Sequence, residues 1–331
     1  MATPPQSDKA GGEVPPRGLP GKRERRRVGA RPAPARPRGT TSAMPSAPSS
    51  WQLRAAAIQL CSRDDLAANL ASCRALTAEA AADGARLVVL PECFSFLGRK
   101  EGDKLVISEE IAAPGAPAGP AGPVVDTLRE LATRHGVWIV GGGTPERIPG
   151  DPRRTYNTAV VIDPAGTLTA RYRKIHLFDV DIPGGATLRE SDATAAGDAL
   201  VVVDIDGARV GLSICYDVRF PELYRCLVKD HGAEVLLVPA AFTAHTGAAH
   251  WHLLLRARAV EDQSWVVAAA QWGQHNEKRA SYGHSLISDP WGTVVAERPE
   301  GDGVVIHTLD GATVAERRAQ LPALRHAVLW K

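Results

Sequence analysis

Cysteine is scarce in this 331-residue chain: only Cys61, Cys73, Cys93, Cys215 and Cys226 occur. None forms a CxxC pair or a Cys/His cluster at zinc spacing, which excludes a disulfide framework and a zinc-finger-type centre. Long apolar runs are also missing. Stretches such as 266–270 fall far short of the roughly 18 residues that span a bilayer, so no membrane association is expected. Net charge is small, +2, and aromatic residues make up only 5%. With 44% hydrophobic and 23% charged residues, the composition describes a globular chain with a large core. Free thiols point to a reducing, cytoplasmic setting.

The near-neutral total hides an asymmetry. Residues 1–50 hold ten Lys or Arg against three Asp or Glu, giving +7, while the rest carries −5. The same segment has ten of the 25 prolines and the run Lys22-Arg23-Glu24-Arg25-Arg26-Arg27. It has too little apolar surface to offset its ordering entropy and is expected to be a disordered basic extension, with one globular domain over 51–331. No signal-peptide apolar stretch follows the charges, and the proline density breaks any transit-peptide helix. Met44 is the only other methionine and sits just before the first strand, so translation starting there is a second possibility. A nucleic-acid arm is the functional reading of this charge, and a solvated extension is the bland one.

From Trp51 onward, short apolar strands alternate with segments of helical period. Strands are expected at 53–60, 86–90, 137–141, 156–162, 200–205, 209–215, 234–238, 265–270, 283–288, 293–296 and 303–308. Helices are expected at 64–82, 124–135, 221–231, 249–263 and 313–320. Eleven strands require more than one sheet, and their interleaving with helices argues a layered α/β architecture. Asp163-Pro164-Ala165-Gly166, Asp206-Gly207 and Asp289-Pro290-Trp291-Gly292 carry hairpin chemistry.

Three strand ends carry reactive side chains. Pro91 stops ladder pairing and leaves Glu92 just beyond an apolar strand. Lys174 lies in Tyr172-Arg173-Lys174-Ile175-His176, after the hairpin around Gly166. Cys215 ends an alternating run, and Pro221-Glu222 soon opens a helix. A thiol at such a turn is expected to favour its thiolate. Taken alone, each residue has an ordinary structural explanation. Among the five cysteines, only Cys215 has this strand-to-helix setting.

Together these residues resemble the three catalytic motifs of the nitrilase, or carbon–nitrogen hydrolase, superfamily. The motifs are Leu90-Pro91-Glu92, Tyr172 through Asp179, and Cys215 through Leu223, in the family's order. The resemblance runs from about Leu53 to Pro322 and continues through His250-Trp251, 256–261 and Asp289-Pro290-Trp291-Gly292. Within the superfamily the chain is most similar to the Nit branch. Residues 278–285 look like the deaminated-glutathione amidases, while 91–94 and 176–178 look at least as much like the omega-amidases. Two features depart from the family: His252 stands where a glutamate is common, and the end 325–330 lacks the usual Pro-Asp-Leu-Tyr.

This resemblance implies a four-layer αββα sandwich that commonly pairs into a homodimer, and a Glu92, Lys174, Cys215 triad. It also implies support from Glu190 and from the Tyr216 N–H. The reaction implied is thiol-dependent hydrolysis of a small carboxylated amide through a thioester, with no metal and no organic cofactor. Cationic clamps for such a substrate could come from Arg173, Arg219, Lys278 or Arg279. Two alternatives stay open. Cys215 could instead be paired with His176, His250 or His284, or the chain could be a basic-armed nucleic-acid binder.

Overall fold

The computed structural model describes residues 50–116, 122–181 and 187–329. The extension up to Ser49, and with it the question of Met44, lies outside the described residues.

Strand Gln52–Gln59 shows how the layers arise. Its alternate residues Leu53, Ala55 and Ala57 join one buried cluster, whereas Ala56 and Ile58 join another. A strand buried on both faces loses the polar/apolar alternation that marks a half-exposed one. It lies second from one edge of a seven-stranded sheet ordered Gly303–Asp310, Gln52–Gln59, Leu87–Leu90, Trp138–Ile148, Asp151–Ile162, Leu168–Arg173, with Thr194–Ala195 beside the fifth. A six-stranded sheet runs Val294–Arg298, Ser285–Ser288, Trp265–Ala268, Val235–Leu237, Ala208–Leu212, Val202–Ile205. One core cluster holds Leu53, Leu87 and Val140 of the first sheet together with Val210, Leu212 and Val235 of the second.

Helices α1 (Leu66–Ala82) and α2 (Pro123–His135) cover the outer face of the first sheet, packing Leu70, Cys73, Leu128 and Leu131 on Ala56, Val88 and Ile139. Helices α3 (Pro221–Lys229) and α4 (Ala244–Asp262) cover the second sheet. Gly211 lets α3 approach closely, since a Cβ there would lie 3.2 Å from Leu227 Cδ1. The result is the expected αββα order. Helix α5 (Gly311–Gln320), capped by the Asp310 carboxylate on the Thr313 N–H, closes the chain with a short α6 (Ala323–His326).

All eleven expected strands and five helices are present. The three hairpin turns form as their residues require. Asp163 and Asp289 accept backbone N–H groups within their own turns, and Asp206 and Gly207 take positive φ. Beyond the expected strands, the fold adds Leu168–Arg173 and the two-residue Thr194–Ala195, both paired with Asp151–Ile162, and the short pairs Asp179–Asp181 with Thr187–Arg189 and Trp272–Gln274 with Ala280–Tyr282. Three-residue strands with mixed polarity give no periodic signal. Helix α4 begins five residues earlier than its apolar spacing suggests, because Thr243 caps it. A Cβ on Gly247 would come within 2.3 Å of Tyr282, so only glycine lets this first turn lie against the strand Ala280–Tyr282.

Asp262 closes α4 inside the protein. Burial pushes its pKa up to about 7, while Arg225, 3.2 Å away, opposes the rise. An unfolded aspartate titrates near pH ~3.9. Between that value and about 7 the folded state holds the extra proton, so this group's contribution to stability falls as pH rises. Urea unfolding of Asp262→Asn against the wild type should therefore favour the variant more at pH 8.5 than at pH 5. An equal difference at both pH values would contradict this.

Candidate active site

Three loop crossings at the ends of the buried strands meet at one cavity of about 330 Å³. Glu92, Lys174, Glu190, Cys215 and Tyr216 all line it. The groups singled out at separate strand ends, more than a hundred residues apart, are thus brought together.

Lys174 follows the strand Leu168–Arg173, whose alternation turns Arg173 outward and Lys174 inward, to 2% exposure. Its ammonium donates to Glu92 Oε1 at 2.9 Å and to Glu190 Oε2 at 2.8 Å. Burial alone would push Lys174 down, but the Glu190 and Glu92 carboxylates outweigh it and hold its pKa well above the lysine range. Burial likewise opposes ionisation of Glu190, and Lys174, with Lys104 behind it, keeps that carboxyl below its usual range. Glu92 Oε2 accepts the Ala241 N–H at 2.9 Å, and the Phe178 N–H donates to Glu190 at 2.8 Å. Every carboxylate in the cluster therefore has a fixed direction.

Asn157 was not singled out in the sequence. Its amide donates to Glu92 Oε1 at 2.8 Å and to Glu190 Oε1 at 3.3 Å, joining the two acids. An asparagine in the middle of a β-strand gives no local signal. Its role is visible only once the sheet places it beside Glu92. Gly143 makes room for it, since a Cβ there would sit 2.7 Å from Asn157 Oδ1.

Cys215 sits at the first position of a single 3-10 turn, Cys215–Arg219, with φ of +48°. A non-glycine residue in this region is sterically costly and is retained where the surrounding structure imposes it. The imposing contacts are visible. The Cys215 N–H donates to Pro239 O at 2.9 Å, and the buried Asp217 carboxylate accepts the Ile214 N–H, the Tyr172 hydroxyl and the His176 N–H. His176 Nδ1 lies 2.7 Å from the same carboxylate, and its ring stacks on Phe220 at 3.6 Å. Asp217→Ala would strand several of these donors in the interior and should cost about 3 kcal/mol. Denaturant unfolding measures it, and a loss below about 1 kcal/mol would show that the elbow is held by something else.

The expectation that the turn favours the thiolate is corrected. Burial first, then the charge and hydrogen bond of Glu92, push the Cys215 thiol well above its ordinary range, against the pull of Lys174. One 3-10 turn supplies too little dipole to offset this burial. Burial and the Glu92 carboxylate thus hold the thiol toward its protonated form. Cys93, in the same cavity, is pushed up to about 12 mainly by burial.

The four candidate clamps divide. Lys278 and Arg279 line the cavity, whereas Arg173 and Arg219 do not. Arg173 pairs with Glu146 at 2.6 Å and lies over the Tyr156 ring, on the far side of its strand from Lys174. Arg219 lies over Phe242 and contacts His250. His176, His250 and His284, the alternative partners for the thiol, are also absent from the cavity lining. His252, at the position where the family commonly has glutamate, pairs with Glu297 at 2.8 Å, beside His284. Among the described residues these three form the one grouping compact enough for a metal, and it lies outside the cavity.

Fold and site define a hydrolase of carbon–nitrogen bonds. The chain belongs to the carbon–nitrogen hydrolase family, whose model matches residues 54–319. Among its relatives are deaminated glutathione amidases. That of Synechocystis sp. (strain PCC 6803 / Kazusa) is 45% identical over 277 residues, covering 83% of this chain and 97% of the relative. The Homo sapiens protein is 43% identical over 296 residues, covering 88% and 87%. Among solved structures, the Caenorhabditis elegans NitFhit protein superposes with a TM-score of 0.77 at 39% identity, over 86% of this chain and 67% of that one. Saccharomyces cerevisiae Nit3, a member of branch 10 of the nitrilase superfamily, gives 0.73 at 33%, over 84% and 97%. The nitrilase-like fold and Nit-branch membership expected from the motifs are both shown.

Proposed function

We propose that the chain is a thiol-dependent amidase acting on deaminated glutathione, with Cys215 as nucleophile, Glu92 as general base and acid, and Lys174 as cation. The observation that carries this reading is the placement of a buried thiol and a fixed carboxylate in one cavity, with an ammonium shared between that carboxylate and Glu190. Glu92 takes the thiol proton as Sγ bonds to the amide carbon. The carbonyl oxygen gains negative charge, and the Lys174 ammonium with the Tyr216 N–H stabilises it. Glu92 then returns the proton to the nitrogen, the C–N bond breaks and the amine leaves a thioester. Water, losing a proton to Glu92, attacks that carbon. The C–S bond breaks, Cys215 recovers a proton and the acid is released. Glu190 holds Lys174 in place throughout.

The substrate assignment is supported by the names of the relatives and by the cations at the cavity. An omega-amidase acting on 2-oxoglutaramate is the second reading. Amine or ammonia release should be measured across deaminated glutathione, 2-oxoglutaramate, an N-carbamoyl amino acid and a simple nitrile, with Cys215→Ser as blank. Highest kcat/KM on deaminated glutathione, and none in the blank, is expected. Preference for 2-oxoglutaramate would select the second reading, and activity in Cys215→Ser would overturn both.

We further propose a homodimer paired through α4. The exposed Leu253 and Val260, 68% and 50% exposed and seven residues apart, share one face of that helix. Sedimentation should show a dimer that Leu253→Asp weakens. A monomeric wild type would contradict it.

A further inference from the structure

Four Lys or Arg side chains line the cavity, and only one has a task in the chemistry above. Lys174 is matched by Glu92 and Glu190. Lys104 and Arg279 share a single acid: Lys104 Nζ lies 3.2 Å from Glu101 Oε2, and Arg279 pairs with Glu101 Oε1. Lys104 also donates to Thr194 Oγ1 at 2.6 Å, which anchors it to the edge of the first sheet. All three charges of this cluster are at least three-quarters buried, at 18% to 25% side-chain exposure. Over the whole lining, Lys104, Lys174, Lys278 and Arg279 stand against Glu92, Glu101 and Glu190, so one positive charge is left facing the cavity, which an anionic substrate would relieve.

Lys278 stands beside Arg279 but is exposed. Asn276 Oδ1 accepts the backbone N–H groups of both, holding the turn that presents the two cations. Their depths differ. Lys104 is close enough to Glu190 to influence its ionisation, whereas Lys278 stands at the exposed end of the lining.

We propose that Lys104 and Arg279, held by Glu101, bind the carboxylate on the acyl side of the substrate, and that Lys278 binds a carboxylate carried by the departing amine. This assignment rests on the amidase reading and makes the enzyme selective for amides anionic at both ends. Deaminated glutathione carries both carboxylates, and 2-oxoglutaramate carries only the acyl-side one. Lys278 is therefore the residue that separates the two substrates. Arg279 offers a planar fork for a carboxylate, and Lys104 a point charge.

The test uses the full chain and three amides: deaminated glutathione, 2-oxoglutaramate and uncharged butanamide. Lys278→Ala should lower the kcat/KM ratio of deaminated glutathione to 2-oxoglutaramate about tenfold, mainly through KM. Lys104→Met and Arg279→Met should lower the ratio of either acid to butanamide about 30-fold. Arg279→Lys keeps the charge on Glu101 in case the methionine variant fails to fold, and should lower that ratio about tenfold through loss of the fork. Ratios within about twofold of wild type in Lys278→Ala and Arg279→Lys overturn the assignment while leaving the amidase reading intact. A wild type that hydrolyses none of the three amides overturns both.

Discussion

Glu92→Gln is expected to lower kcat about a thousandfold while making the Cys215 thiol easier to alkylate. The two effects have opposite signs for one reason. An uncharged amide in place of the Glu92 carboxylate cannot accept the thiol proton or return it to the leaving amine, so the acid–base contribution disappears. The same carboxylate is one of the groups that raise the Cys215 pKa, and Lys174 acts in the other direction. Removing the negative charge leaves Lys174 to pull the thiol toward ionisation. Iodoacetamide labelling of Cys215 at pH 7 should therefore be faster in Glu92→Gln than in the wild type, while amide turnover nearly vanishes. Slower labelling together with slower turnover would mean that the substitution disordered the site, and the base assignment would lose its support.

Lys174→Met is the second large effect, and it reaches stability as well as rate. In the native protein one buried ammonium answers two buried carboxylates. Replacing it leaves both acids in the interior with the neutral donors Asn157 and backbone N–H groups, and with Lys104 as a more distant charge acting on Glu190. Breaking a buried ion cluster in this way costs about 3–5 kcal/mol, and turnover should fall below detection because the oxyanion loses its cation. The sign with pH follows from linkage. Glu190 is held low in the wild type, so its stabilisation is present above the unfolded value near ~4.3 and is lost as pH falls. Without the ammonium, burial pushes the Glu190 carboxyl toward its protonated form, and the penalty grows as pH rises. Denaturant unfolding should show a larger gap between wild type and Lys174→Met at pH 8 than at pH 5. A gap that is the same at both would indicate packing loss alone.

Much of this was legible in the sequence because strand ends carry local signals. Pro91 marks where a ladder stops, Pro221 where a helix starts, and Asp-Pro-x-Gly turns mark the hairpins, so Glu92, Lys174 and Cys215 could be placed at element boundaries before their convergence was visible. What escaped were features that exist only across the fold. Asn157 belongs to the site through sheet registration, Lys104 and Glu101 through a 3-10 segment that packs beside the strands, and Thr243 to Thr246 through an early helix start. Arg173 lies outside the cavity lining for a reason its position already contained. Neighbours in a strand face opposite ways, so the residue before an inward lysine points outward, here to Glu146. The Cys215 thiol shows the limit of reasoning from a turn alone, because burial and one carboxylate outweigh a single helical turn.

The most direct test of the account is to find the bond it requires. Wild-type enzyme turning over deaminated glutathione should be quenched in acid within a single turnover, digested and examined by mass spectrometry. A 2-oxoglutaryl thioester on the peptide bearing Cys215, discharged on longer incubation and absent from Cys215→Ser, is the predicted result. Acylation of Cys93 instead, or steady turnover with no acyl group on Cys215 at any quench time, would contradict it.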